Sequence, residues 1–350
     1  MHYFIFIFLL LFGQTKADVQ HEIVWGEYSP PPISQEEAVA ALQTTDVIDL
    51  QPMSGGFSGG HIYSFSFNNK QYIARRTGGV FGPQGAAQEI AILHEANKAK
   101  IVPHMLYANG DTGLIIMEKI DNILPAEFCP GFMHASDDLA DQLIAHIRQI
   151  QKLKPDSAVV SDRHDLFNLK RCLESADLGM LPTHIQVMLK ECQSWPKEQT
   201  LVLNHNDLHT RNLLYDGQKL FIIDWECAGW GPVDYDVASF CNGQVMTREA
   251  GLSFYARYLA RAPTKDEAAR FMRLRVLNAA TSGMYGYCYM KPSMKEPFEQ
   301  LRKKSSLEAV RNLLLSLDRG KIDLRDEEAF ACCGFAWLGY ASYLNGHEDN

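Results

Sequence analysis

The chain has 350 residues, 46% of them hydrophobic; that is enough for one large domain or two coupled lobes, and it excludes a disordered chain. The formal charge is −9 and the pI about 5.7, a balance that argues against nucleic acid as the main partner and suits a cationic small-molecule substrate.

Tyr3 to Phe12 is an unbroken apolar run, too short for a helix across a bilayer, which needs about 20 residues. Thr15-Lys16-Ala17 resembles a small-x-small cleavage site, yet Met1-His2 adds no basic side chain. Three readings of residues 1–18 stay open: a signal or anchor, a misassigned start, or an apolar extension. No stable membrane span is expected.

Ser34 with Glu37 is a capping-box pattern and opens a helix through Leu42. Val47–Gln51 reads as a strand, followed by the glycine-rich Ser54–Gly60. His61–Phe67 and Gln71–Arg76 then form a hairpin about Asn68-Asn69. Gln84–Lys98 reads as a helix, Met105–Ala108 and Leu114–Glu118 as strands, and Lys119–Pro125 as a linker. Helices are expected over 137–152, 183–194, 248–261, 265–280, 297–317 and 325–344. Between them, 201–224 holds two apolar runs around the hairpin signal Asp216-Gly217. The eight cysteines make no paired CxxC pattern and read as buried free thiols in a reducing compartment.

The run His205-Asn206-Asp207-Leu208-His209-Thr210-Arg211-Asn212 fits H-x-D-x-x-x-x-N, and Asp224 follows the next strand. Asp207 at a loop tip can take the proton of an attacking hydroxyl. Asn212 and Asp224 offer neutral and anionic oxygens to Mg²⁺, a hard cation that neutralises charge on a phosphoryl group in transfer.

Leu203–Phe240 resembles the catalytic region of the choline kinase and aminoglycoside phosphotransferase superfamily. Ile223-Asp224-Trp225-Glu226-Cys227-Ala228-Gly229 is similar to the "IDWEYAG" of its choline-kinase-like and thiamine-kinase-like members, and Tyr235-Asp236-Val237-Ala238 to its "fDlA". The resemblance implies ATP and Mg²⁺ as cofactors, a structural Asp236 that ties down the catalytic loop, and a Glu226 that faces the substrate. It places the phosphate-covering loop at Ser54–Gly60, with Gly55, Gly56 and Ser58. Arg75 stands where the third-strand cation belongs, with Arg76 on the opposite strand face as the fallback. Glu89 is its helical partner, and Met117-Glu118 sits at the adenine-binding hinge.

A quaternary ammonium is recognised through aromatic faces. Trp337 and Tyr340 lie three apart on the last helix and resemble a Trp-x-x-Trp of choline kinases, while Tyr285 and Tyr287 alternate in a glycine-containing segment. Together these features imply an α+β, bilobal protein-kinase-like fold. Its parts are the apolar segment 1–18, a β-rich nucleotide-binding lobe over 19–119 and a mainly helical catalytic lobe over 120–350. The function implied is a cytoplasmic kinase acting on choline or ethanolamine. Alternatives are a thiamine kinase-like or aminoglycoside-type phosphotransferase, and an inactive ligand-binding pseudokinase.

Overall fold

The structure is a computed structural model. It describes residues 31–46, 48–53, 61–77, 82–124, 137–156, 158, 160–161, 169, 172–174, 176, 178–195, 200–288, 307–318 and 327–346. The readings for residues 1–18 and for Gly55, Gly56 and Ser58 lie outside this set.

In chain order the elements begin with α1 Gln35–Leu42, β1 Gln51–Pro52, β2 Ile62–Phe67, β3 Lys70–Arg76, α2 Gly82–Lys98, β4 Met105–Ala108, β5 Leu114–Glu118 and α3 Asp137–Ile150. There follow α4 Thr183–Ser194, β6 Leu201–Asn204, β7 Leu213–Tyr215, β8 Leu220–Ile222, β9 Gly229–Pro232 and α5 Tyr235–Gly243. The last helices are α6 Arg248–Leu259, α7 Lys265–Cys288, α8 Leu307–Asp318 and α9 Glu327–Leu344. The mixed α+β class agrees with the sequence reading. Among the described residues no helix is long and apolar enough to cross a membrane.

The chain divides into two compact units that interleave along the sequence. The first comprises Met1–Leu124, Asp138–Asp162 and Arg211–Trp230; the second comprises Pro125–Asp137, Arg163–Thr210 and Gly231–Asn350.

In the first unit, Ser34 caps α1 by accepting the Glu37 N–H at 3.2 Å. Five strands form an antiparallel sheet in the order β1-β2-β3-β5-β4. Asn68 and Asn69 both take positive φ, 49° and 60°, as a two-residue hairpin loop with matching twist requires. The strand alternation then sorts β3: Tyr72, Ala74 and Arg76 are buried on one face, and Ile73 and Arg75 lie on the other. Tyr72 stacks on Phe65 of β2 at 5.6 Å, within a core that includes Ile33, Ala38, Ile48, Leu114 and Ile116.

The β7–β8 hairpin turns at Asp216-Gly217 as expected, with Asp216 Oδ1 accepting the N–H groups of Gln218 and Lys219 at 2.8 and 2.7 Å. Those bonds to the charged form hold the Asp216 carboxyl below its ordinary value. The hairpin is fastened at Ile222, whose N–H donates to the Ile101 carbonyl at 2.8 Å. His146 of α3 meets the Leu220 carbonyl at 2.8 Å, and burial lowers its pKa, favouring the neutral imidazole.

In the second unit, α5 is buried almost throughout, from Tyr235 to Asn242. α7 and α9 pack with backbones touching: a Cβ on Gly286 would stand 2.5 Å from the Gly334 Cα, so only glycine fits there. The centre of this unit is Arg275, completely buried on α7. Neutral acceptors satisfy it: Asn242 Oδ1 at 3.0 Å, the Thr247 and Met246 carbonyls at 3.0 and 2.7 Å, and the Tyr340 hydroxyl at 2.5 Å. Seven of the eight cysteines are described and all seven are free; burial pushes the Cys192 and Cys241 thiols up to about 12, as inert thiols require.

Three expectations need correction. The first strand is only Gln51–Pro52. α5 and β9 are additional elements. α7 runs on to Cys288, so Tyr285 and Tyr287 stand two apart on a helix and do not share a face.

Candidate active site

In the second unit, β6 delivers the chain into the His205–Thr210 loop. Two backbone N–H groups of that loop are captured by one side chain. Asp236, on the first turn of α5, accepts from His205 N through Oδ2 at 2.8 Å and from Asn206 N through Oδ1 at 2.9 Å. Asn206 itself takes a positive φ of 64°, so the loop needs this anchor. Burial raises the Asp236 carboxyl to about 7; the two N–H bonds pull it down and the Asp207 charge pushes it up.

The helix that carries Asp236 is pinned at its start. Asp234 Oδ2 accepts from Arg270 Nε and Nη2 at 2.9 and 2.6 Å and from the Tyr255 hydroxyl at 3.0 Å. Asp207 thus sits on a loop fixed to a buried helix and is 8% exposed. His209 Nε2 stands 3.5 Å from Asp207 Oδ2. A Cβ on Gly243 would lie 2.9 Å from the His209 Cβ, so α5 must end in glycine for that histidine to seat.

In the first unit, the β7–β8 hairpin places Asn212 and Asp224 at its open end. Leu213 pairs with Ile222, and Ile223 N donates to the Asn212 carbonyl at 2.9 Å. Asp224 is left-handed, with φ 68° and ψ 66°, and opens the turn Trp225–Cys227. Trp225 is fully buried and its indole N–H donates to the Ile222 carbonyl at 3.0 Å. Glu226 is 4% exposed.

Arg75 joins this region to α2. Its guanidinium pairs with Glu89, and its Nη1 lies 3.7 Å from Asp224 Oδ1. The Thr77 hydroxyl holds the other oxygen of Glu89. Arg76 points to the opposite face, to Glu37 and to the Thr112 carbonyl at 2.6 Å. Of the two arginines, Arg75 is therefore the one directed at Glu89 and Asp224.

By donor type, one amide and one carboxylate, Asn212 and Asp224 would suit a magnesium ion. Among the described residues no cluster of three or more His, Cys, Asp or Glu gathers as a metal cage.

Glu118 ends β5 and is half-buried. Its carboxylate accepts from Lys70 Nζ at 2.7 Å, and its N–H is taken by the His104 carbonyl at 2.8 Å.

The four aromatics expected to line an acceptor pocket are all buried: Trp337 2%, Tyr340 0%, Tyr285 5% and Tyr287 5% exposed. Trp337 meets Tyr340 edge-to-face at 5.7 Å, and Tyr287 meets Phe335 in the same manner at 5.7 Å. The Tyr340 hydroxyl also donates to the Met246 carbonyl at 2.8 Å. These contacts make Tyr340 part of the packing around Arg275.

Residues 49–271 match the model of the phosphotransferase enzyme family. The chain belongs to that family. No curated protein matches its sequence. Among solved structures, this phosphotransferase resembles a choline/ethanolamine kinase family protein from Mesorhizobium loti, with 16% identity and a TM-score of 0.53 over 86% of this chain and 98% of that one. The choline kinase LicA from Streptococcus pneumoniae gives 15% and 0.51 over 71% and 88%. A spectinomycin phosphotransferase in complex with ADP and spectinomycin gives 13% and 0.53 over 87% and 99%. These likenesses establish the kinase-like fold of the phosphotransferase. Asp234 and Arg270, which pin the start of α5, belong to no motif that sequence reading singles out; the only signal is a polar residue two before Asp236.

Proposed function

We propose that the chain is an ATP-dependent phosphotransferase that phosphorylates a hydroxyl of a small cationic amino alcohol, choline or ethanolamine. The observation that carries the phosphoryl-transfer reading is the Arg75 guanidinium between Glu89 and Asp224. A cation so placed suits phosphate, and its pairing with Glu89 keeps it extended and oriented. Neighbours in complex with AMP and with ADP support nucleotide as the donor.

Asp207 receives the acceptor's proton as the hydroxyl oxygen bonds to the γ-phosphorus and the bond to the β-phosphate oxygen breaks, releasing ADP. Asp236 contributes by fixing the loop, so that Asp207 need not be ordered during the reaction. Asn212 and Asp224 would hold Mg²⁺, which when bound would supply charge neutralisation on the phosphates. Glu226, buried and acidic, is the acceptor-facing residue in this reading. The acidic balance of the chain suits any cationic acceptor, and the choline and choline/ethanolamine kinase names among its fold neighbours favour an amino alcohol.

A second reading is an aminoglycoside-type acceptor, favoured by a spectinomycin phosphotransferase whose TM-score equals that of the choline/ethanolamine kinase family protein. Mg²⁺-dependent ADP release measured with choline, ethanolamine, thiamine and spectinomycin decides between them. Stimulation by choline or ethanolamine is the expected result, and stimulation by spectinomycin alone would sink the amino-alcohol reading.

A further inference from the structure

Asp224 holds a backbone conformation, φ 68° and ψ 66°, that aspartate tolerates better than most residues but that still carries a cost. Such a conformation persists where the surroundings over-determine it. Here the turn that begins at Asp224 is gripped at both ends from α2. At the front, Arg75, itself bonded to Glu89 of α2, lies 3.7 Å from Asp224 Oδ1. At the rear, Gln88, the neighbour of Glu89 on the same helix, donates Nε2 to the Ala228 carbonyl at 2.7 Å.

Consecutive helix residues point about 100° apart, which is why one helical step reaches both places. Gln88 is 3% exposed, and its amide is used at both ends. Its Oε1 accepts the Ser161 N–H at 3.2 Å and the Ser161 hydroxyl at 3.0 Å, while the Ser161 carbonyl accepts from Trp230 N at 3.2 Å. If this position served packing alone, an apolar side chain would serve it at less desolvation cost. The bonds run instead to the chain immediately after the Trp225–Cys227 turn.

We propose that Gln88 is a positioning residue for Asp224: with Arg75 it brackets the Asp224–Ala228 turn against α2, so the carboxylate is aimed before nucleotide and metal arrive. The inference rests on the phosphotransferase reading above, since it concerns what Asp224 is aimed at. Gln88 touches neither substrate nor metal in this account. It acts through the backbone at Ala228, and its loss shows as a higher Mg²⁺ requirement at the nucleotide rather than as a weaker acceptor.

The full chain tests this with three variants and two readouts. Gln88→Met removes every polar contact. Gln88→Glu keeps the length and the acceptor for Ser161, removes the donor to Ala228 and sets a carboxylate oxygen against that carbonyl. Ser161→Ala deletes a less buried bond to Gln88 without touching Ala228. The readouts are the Mg²⁺ concentration for half-maximal equilibrium binding of a fluorescent ATP analogue, and the urea midpoint without ligand. Both Gln88 variants are expected to raise the Mg²⁺ midpoint about tenfold, a small misplacement of one ligand. Ser161→Ala is expected to lower the urea midpoint with an unchanged Mg²⁺ midpoint. If Gln88→Met does not fold, Gln88→Glu decides. An unchanged Mg²⁺ midpoint in a folded Gln88 variant, or an equal rise in Ser161→Ala, overturns the inference while the phosphotransferase reading stands. A wild-type chain with no Mg²⁺-dependent nucleotide binding overturns both.

Discussion

Arg75 Nη1 stands 3.7 Å from Asp224 Oδ1 while the same guanidinium is bonded to Glu89. One cation on β3 therefore serves two acids, one on α2 and one on the turn after β8. Glu89 is almost completely buried, so its charge depends on Arg75 and on the Thr77 hydroxyl. Removing one partner of such a pair leaves an uncompensated charge, which costs about 3–5 kcal/mol. Arg75→Met should lose stability of that order in urea unfolding. Adding Glu89→Gln should restore part of the stability and none of the nucleotide affinity. A loss in the double variant equal to the sum of the two single losses would show that the two residues are not coupled.

Asp207→Asn keeps the size of the side chain and removes its basicity. The loop remains anchored, because its bonds to Asp236 come from His205 and Asn206 backbone. We expect kcat to fall by about 10²–10⁴ with the KM for ATP little changed. Rates near wild type would remove Asp207 from the chemistry.

What could be read in advance follows from periodicity and spacing. The hairpin about Asp216-Gly217 and the capped helix from Gln35 rest on local rules, and both stand. Strand alternation separated Arg75 from Arg76, because successive side chains leave β3 on opposite faces. α5 was illegible for the opposite reason: it is buried all round, so it shows no amphipathic period. The alternating tyrosines at 285 and 287 imitate a strand pattern, but the helix begun at Lys265 simply continues through them. Gln88 and Arg275 act through tertiary bonds to backbone carbonyls distant in sequence, and nothing in their local sequence announces those partners.

Asp236 gives the His205–Thr210 loop a pH dependence. Its ordinary value is 3.8, and burial raises it to about 7 in the fold. Between those values the folded protein holds a proton that the unfolded chain has released. Its contribution to stability is therefore fully present below about pH 4 and is lost as pH rises through about 7. Urea midpoints of the wild type should carry this downward component across that window, and Asp236→Asn should lack it. The asparagine also has one acceptor where two N–H groups need one each, and an unsatisfied buried donor costs about 1–3 kcal/mol. A wild type and variant whose midpoints run parallel from pH 4 to 8 would refute the assignment.

Tyr340 separates an aromatic wall for a cationic acceptor from a packing hub. Its hydroxyl accepts from Arg275 Nη2 at 2.5 Å and donates to the Met246 carbonyl at 2.8 Å, and the Arg275 guanidinium lies 5.9 Å from its ring centroid. Phenylalanine preserves the ring face that a cation–π contact would use and deletes only the hydroxyl. If Tyr340 serves the fold, Tyr340→Phe should cost about 1–3 kcal/mol of stability, because a buried partner of Arg275 is lost, and should leave the KM for choline unchanged. If its ring bound the acceptor directly, removing the ring as well would forfeit about 2 kcal/mol, or roughly thirtyfold in affinity. Tyr340→Leu, compared with Tyr340→Phe at matched folded fraction, reads that difference. We expect the two variants to share one KM for choline, because the ring is already enclosed between α7 and α9; a thirtyfold rise confined to Tyr340→Leu would return Tyr340 to the acceptor site.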